Sequence, residues 1–195
     1  MLIEPHGGKL LKSLYSGGSE DLGGLPSIAV KDTDLMDCEQ MALGTFSPVS
    51  GFMTKDELFS VLQEMKLPGG CVWTMPVILQ VDNEKVRGLR PGTQVVLKDS
   101  KGKKHSLLKV SEIYQCDMEE VAKLWFKTTS REHPGVKRFM EAGRVFIAGD
   151  VQLVKRRESA WRKYELDPHQ TRLIFTHKGW RKVVGFCEIC LLEIC

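Results

Sequence analysis

Between residues 73 and 113 the chain alternates strand-forming runs with turn formers, and few folds accommodate that rhythm. Trp73–Val81 is apolar and closes at Asp82-Asn83. Arg90-Pro91-Gly92 then turns into Thr93–Lys98, and Asp99–Gly102 turns again into His105–Ile113. Short runs bounded by Gly, Pro, Asn and Asp pair as neighbouring strands, and strands so closely spaced close into a small barrel or pseudo-barrel. Arg144–Val154 adds another strand.

Helical signals are set among these strands, so the expected class is α+β. Thr54-Lys-Asp-Glu57 is a capping box, in which the Thr hydroxyl accepts from the third helical amide while Glu57 reaches back. It predicts a helix over 54–66 with Leu58, Phe59, Leu62 and Met65 on one face, stopped by Pro68-Gly69-Gly70. Met118, Val121, Ala122 and Trp125 place a second helix over 117–126. His133-Pro134-Gly135-Val136 opens a third, with Pro in its first turn. Residues 1–36 read as irregular or edge-strand structure, apolar only in stretches such as Ser27–Val30. Asp37–Leu43 reads as a helical turn ended by Gly44, and Thr45–Phe52 as a loop.

The tail has a different character. Asp167-Pro168 starts a helix carrying Thr171, Leu173, Ile174 and Phe175 towards Gly179, and Lys182–Phe186 reads as a buried strand. A helix followed by a continuous apolar strand is the opening of an α/β unit. The expected division is therefore a β-rich domain over 1–155 and the beginning of an α/β domain over 156–195, with the boundary near 155–167.

Composition excludes little. With 28 Lys+Arg against 25 Asp+Glu, the net charge of +3 does not mark a nucleic-acid binder. The basic residues cluster at 101–105 and in Lys155, Arg156, Arg157, Arg162 and Lys163, which read as solvated faces without an interleaved aromatic platform. MLIEPHGGKL lacks the apolar run of a signal peptide, and no segment is apolar enough to span a membrane. The wide spacing of Cys38, Cys71, Cys116 and Cys187 fits reduced thiols in a cytoplasmic protein.

Read for chemistry, the residues form no complete catalytic constellation. His6 with Gly7-Gly8 could cradle an anion in exposed amides, but a tight turn with a surface histidine is the simpler reading. Ser47-Pro48 and Ser50-Gly51-Phe52 lack the strand–turn–helix setting of a nucleophile elbow. Glu132 and His133 could form an acid–base pair, and a helix start explains them more simply. Cys187 and Cys190 have the spacing of half a zinc site, with no second pair at a suitable distance.

Six short segments in order add a family resemblance. Pro5-His-Gly-Gly8, Phe46-Ser-Pro-Val-Ser-Gly-Phe-Met53, Trp73-Thr-Met-Pro76, Leu108–Tyr114, His133-Pro-Gly-Val136, and Thr171-Arg172 through Val183–Phe186 together resemble the N-terminal part of sulfate adenylyltransferases (ATP sulfurylases). The resemblance covers residues 3–186. It implies a PUA-like pseudo-barrel followed by the first helix and strand of an α/β nucleotidyltransferase domain. It also implies sulfate assimilation chemistry, with ATP and sulfate giving adenylyl sulfate and pyrophosphate, and magnesium accompanying ATP in the full-length enzyme.

The family's Gln-x-Arg-Asn-Pro-x-His-x-x-His motif would follow Phe186, where Arg and His donors neutralise sulfate and phosphate charge. Here Cys-Glu-Ile-Cys-Leu-Leu-Glu-Ile-Cys195 stands in its place. No catalytic, cofactor-binding or metal residue is therefore assigned, and a truncated chain making no adenylyl sulfate alone is expected. Phe126-Lys127 and Ala148-Gly149-Asp150 depart from the family's Tyr-Gly and Gly-Gly-Pro. The other classes compatible with the sequence are a PUA-like RNA-binding module and an interaction protein pairing with a full-length homologue. A homo-oligomer is compatible too, whereas a membrane and nucleic acid are not expected partners.

Overall fold

The structure is a computed structural model that describes residues 2–18 and 21–184. Its centre is one six-stranded sheet. β1 (Ser27–Ala29), β4 (Gln94–Lys98), β5 (Lys104–Tyr114), β6 (Val145–Leu153) and β2 (Gly51–Phe52) lie side by side in that order, and β3 (Gln80–Val81) also pairs with β6. All neighbours are antiparallel except β1, which runs parallel to β4. The β4–β5 hairpin closes where the turn signal stood: Asp99 Oδ1 accepts from the amides of Lys101 and Lys103 at 2.9 and 2.8 Å.

Burial on both faces explains the length of β6. Val145, Ile147 and Val151 point into the main core with Val95, Leu97, Leu108 and Val110. The alternate residues Phe146 and Ala148 point into a second core beneath the helices, against Leu58, Val121, Val136 and Phe139. Strand periodicity of two thus serves two cores at once. Phe146 stacks on Tyr114 with ring centroids 5.1 Å apart, and the Tyr114 hydroxyl donates to the Met53 carbonyl at 3.0 Å.

The helices follow their caps. In α2 (Lys55–Glu64), Thr54 Oγ1 accepts from the Glu57 amide while Glu57 Oε2 accepts from the Thr54 amide, as the capping box predicts. The helix stops at Glu64, and Met65, expected on its buried face, takes a left-handed conformation as C-cap and is exposed. α3 (Met118–Phe126) is capped by Asp117 and α4 (Pro134–Glu141) by His133. α5 (Pro168–His177) is capped by Asp167 and buries no residue.

Other sequence expectations change as well, and the end of the Thr45–Phe52 loop forms β2. α1 spans Asp32–Leu43, so residues 1–36 end in a helix that the reading began only at Asp37. Of Trp73–Val81, only the last two residues form a strand. Pro76 has no amide to give to a ladder, and this stretch instead makes single bonds, Met53 amide to Val77 carbonyl and Ile147 amide to Leu79 carbonyl. The Lys182–Phe186 strand is absent over 182–184, where Val184 is 91% exposed with no strand beside it among the described residues. Residues 185 and 186, and the Cys187/Cys190 pair, lie outside the described residues.

Candidate functional site

Three places gather polar side chains from distant parts of the chain. The first is a clamp around Glu39. This residue lies on the inner side of α1 and is 6% exposed. Its carboxylate accepts from Arg156 Nε at 2.6 Å, Arg162 Nη1 at 2.9 Å and the Arg157 amide at 3.0 Å. Glu165 accepts from the same Arg156 and Arg162 side chains, and Arg157 pairs with Asp32. Burial pulls the Glu39 carboxyl upward, but the donors from Arg156, Arg157 and Arg162 outweigh it and hold the group below its ordinary value. The clamp fastens residues 156–165 to α1.

The second is the N-terminal strap. Ser13 and Tyr15 pair with Leu153 at the end of β6. Lys12 pairs with Asp167 at 3.3 Å, the Leu11 carbonyl lies 3.1 Å from His169 Nε2, and Arg172 donates to the Ile3 carbonyl at 2.6 Å. α5 is thus held by polar contacts with the strap. Ser47, from the second resemblance segment, accepts from the Leu11 amide and donates to the Gly44 carbonyl, so it is a structural hydroxyl. Under the strap opens a cleft of about 480 Å³ lined in part by Lys12, Ser50, Lys109, Asp150 and Gln152, where Ser50 Oγ donates to Asp150 at 2.6 Å.

The third is the turn Pro5–Gly8. The Gly8 amide is taken by the Pro5 carbonyl at 2.9 Å, which leaves a tight turn rather than an anion cradle. Gly7 has φ +72°, and a Cβ there would stand 2.6 Å from the Pro48 ring. His6 reaches across to residues 71 and 72: its Nε2 is 2.6 Å from the Val72 carbonyl and 3.3 Å from Cys71 Sγ. Sequence reading missed this contact because 65 residues separate the two side chains. His133, by contrast, is a helix cap whose Nδ1 accepts from the Gly135 and Val136 amides, and its acid–base role with Glu132 finds no support.

The two basic clusters do meet. His105 sits between Asp99 and the Lys155 carbonyl, and Lys103 pairs with Glu158. The shared surface is mixed in sign, with Asp32, Asp99 and Glu158 among Lys101, Lys103 and Arg157. One expectation needs correcting: Trp161 and Tyr164 are exposed aromatics interleaved with the second cluster, their rings 6.4 Å apart. Their side chains offer faces to a base, yet Arg156, Arg157 and Arg162 are spent on carboxylates. Binding of a labelled single-stranded RNA is therefore expected to be weak and to vanish as salt rises. Sub-micromolar affinity persisting at about 150 mM salt in fluorescence anisotropy would contradict it.

Among the described residues, no three His, Cys, Asp or Glu side chains gather to hold a metal ion. No described helix is long and apolar enough to cross a membrane.

The six-stranded mixed sheet with its flanking helices defines an α+β fold of PUA-like class. A family model described as a PUA-like domain matches residues 3–156, and the chain belongs to that family. It is also similar along nearly its whole length to sulfate adenylyltransferases. It is 37% identical to the sulfate adenylyltransferase of Persephonella marina over 193 residues, 95% of this chain and 50% of that protein. It is 36% identical to a probable bifunctional SAT/APS kinase 2 of Sorangium cellulosum, over 95% of this chain and 33% of the other. The chain thus spans a third to a half of the length of these relatives. A solved structure described as hexameric APS kinase from Thiobacillus denitrificans shares the fold with a TM-score of 0.71 at 22% identity, over 93% of this chain and 33% of that one.

Proposed function

We propose that this chain is the PUA-like part of a sulfate adenylyltransferase and serves sulfate activation, in which ATP and sulfate give adenylyl sulfate and pyrophosphate in the cytoplasm. One observation carries this reading. The similarity to enzymes of that name covers 95% of the chain, well past residue 156 where the PUA-like match stops. What is shared is therefore more than a PUA-like domain.

On this reading residues 1–155 form the PUA-like domain and 156–195 begin the α/β nucleotidyltransferase domain. The described residues work as a scaffold. The Glu39 clamp and the strap set the direction in which the chain leaves the sheet, and ATP with its magnesium is handled by the full-length enzyme outside them.

A chimera tests the proposal. Residues 3–156 of this chain replace the matching segment of the Persephonella marina sulfate adenylyltransferase. The expected result is a folded protein that still releases pyrophosphate from ATP only when sulfate is present. A chimera that folds but has lost sulfate-dependent release would sink the reading.

A further inference from the structure

We propose that Cys71 is a modification site, a thiol primed by His6 for exchange with small disulfides. The two residues come from segments 65 positions apart and meet at the surface, with Nε2 3.3 Å from Sγ. His6 is exposed and Cys71 half-buried, so a small reagent reaches the pair.

The second contact of His6 fixes its role. Nε2 lies 2.6 Å from the Val72 carbonyl, and a carbonyl only accepts, so Nε2 carries a proton. That N–H edge also faces the sulfur, which accepts better as thiolate than as thiol. The other charged groups of these segments are Glu4 and Lys9, on either side of His6, and Lys66, whose backbone is bridged to Val72. Two further described cysteines lack such a partner. Cys38 is fully buried in the core, which pushes its thiol up, and burial pushes Cys116 up to about 11.

The reaction is a displacement. The Cys71 thiolate attacks one sulfur of the disulfide, a new S–S bond forms at Sγ, and the old S–S bond breaks. The departing half leaves as a thiolate and takes a proton from solvent. The adduct occupies the space of the His6 contact, so the turn Pro5–Gly8 separates from residues 71–72.

The test uses the reduced full chain and oxidised glutathione, with the mixed disulfide at each cysteine followed by peptide mass spectrometry. In the wild type at pH 7, Cys71 is expected to react roughly tenfold faster than Cys116. His6→Gln is expected to slow Cys71 about tenfold at pH 7 and to leave its rate unchanged near pH 10, where thiolate forms without help. A merely structural histidine would alter both rates or neither. Equal rates for Cys71 and Cys116 in the wild type, or an unchanged Cys71 rate at pH 7 in His6→Gln, would overturn the proposal. Should the variant fail to fold, equal wild-type rates for Cys71 and Cys116 still overturn the proposal.

Discussion

Gly149→Ala is expected to lower the melting temperature by about 10 °C or more. Gly149 sits where three strands converge, registered with Phe52 of β2 on one side and Val110 of β5 on the other. β5 carries an irregularity beside it, between Val110 and Glu112. The residue has φ +153°, and a Cβ would stand 2.1 Å from the Lys109 carbonyl oxygen. That oxygen belongs to the β-ladder and cannot retreat without opening it. Gly51 repeats the constraint from the facing strand, where a Cβ would stand 1.9 Å from the Gly149 carbonyl.

Overpacking against backbone, added to conformational strain, costs about 3–5 kcal/mol, and each kcal/mol moves the transition of a chain this size by about 2–4 °C. Gly102→Ala is the control. Gly102 has φ +81° in the β4–β5 turn with no atom near its Cβ position, so only the strain of about 1 kcal/mol remains. If circular dichroism gave both variants the same melting shift, the close-approach argument would fail. The position also gives meaning to a departure from the family pattern. Ala148 and Asp150 differ from Gly-Gly-Pro, while the central glycine, which the backbone requires, is kept.

What the sequence made legible was whatever is decided within a few residues. The capping box at Thr54, the helix starts at Asp117, His133-Pro134 and Asp167-Pro168 and the Asp99 turn all appear where local rules put them. The first half of α1 was not legible because its buried residue, Leu35, stands among Asp32, Asp34 and Asp37, which look like loop. Trp73–Val81 failed for the opposite reason. Its apolar residues reach the core, as Val77 and Leu79 show, without the continuous pairing that makes a strand. The polar groupings were beyond local reading altogether, since Glu39 meets Arg156 across 117 positions. Trp161 and Tyr164, by contrast, stand beside Arg162 and Lys163 in the sequence itself.

The Glu39 clamp yields the second large effect, and it is local. Glu39→Gln leaves the shape of the side chain but replaces a carboxylate oxygen by an amide donor facing Arg156 or Arg162. Breaking a buried ion pair from one side costs about 3–5 kcal/mol, and the two guanidinium groups here are 32% and 31% exposed, which solvent discounts to about 2 kcal/mol. That corresponds to a rise of roughly thirtyfold in the opening of residues 156–165. Amide hydrogen exchange should show it at Arg157 and in the turn 162–164, while β5 and β6 exchange as before.

The pH dependence follows from the direction of the shift. Because the folded carboxyl lies below its ordinary 4.5, the stabilisation is present above that value and is lost as pH falls through the lower folded one. Asp37, raised to about 6 by burial and by Asp34, titrates in a separate, higher window. The wild-type segment should therefore loosen only below about pH 4.5, and Glu39→Gln should remove that acid limb by being loose at every pH. Exchange that accelerates equally in β5 and β6 would show that Glu39 supports the sheet as a whole. Unchanged exchange at 156–165 would show that the clamp holds nothing.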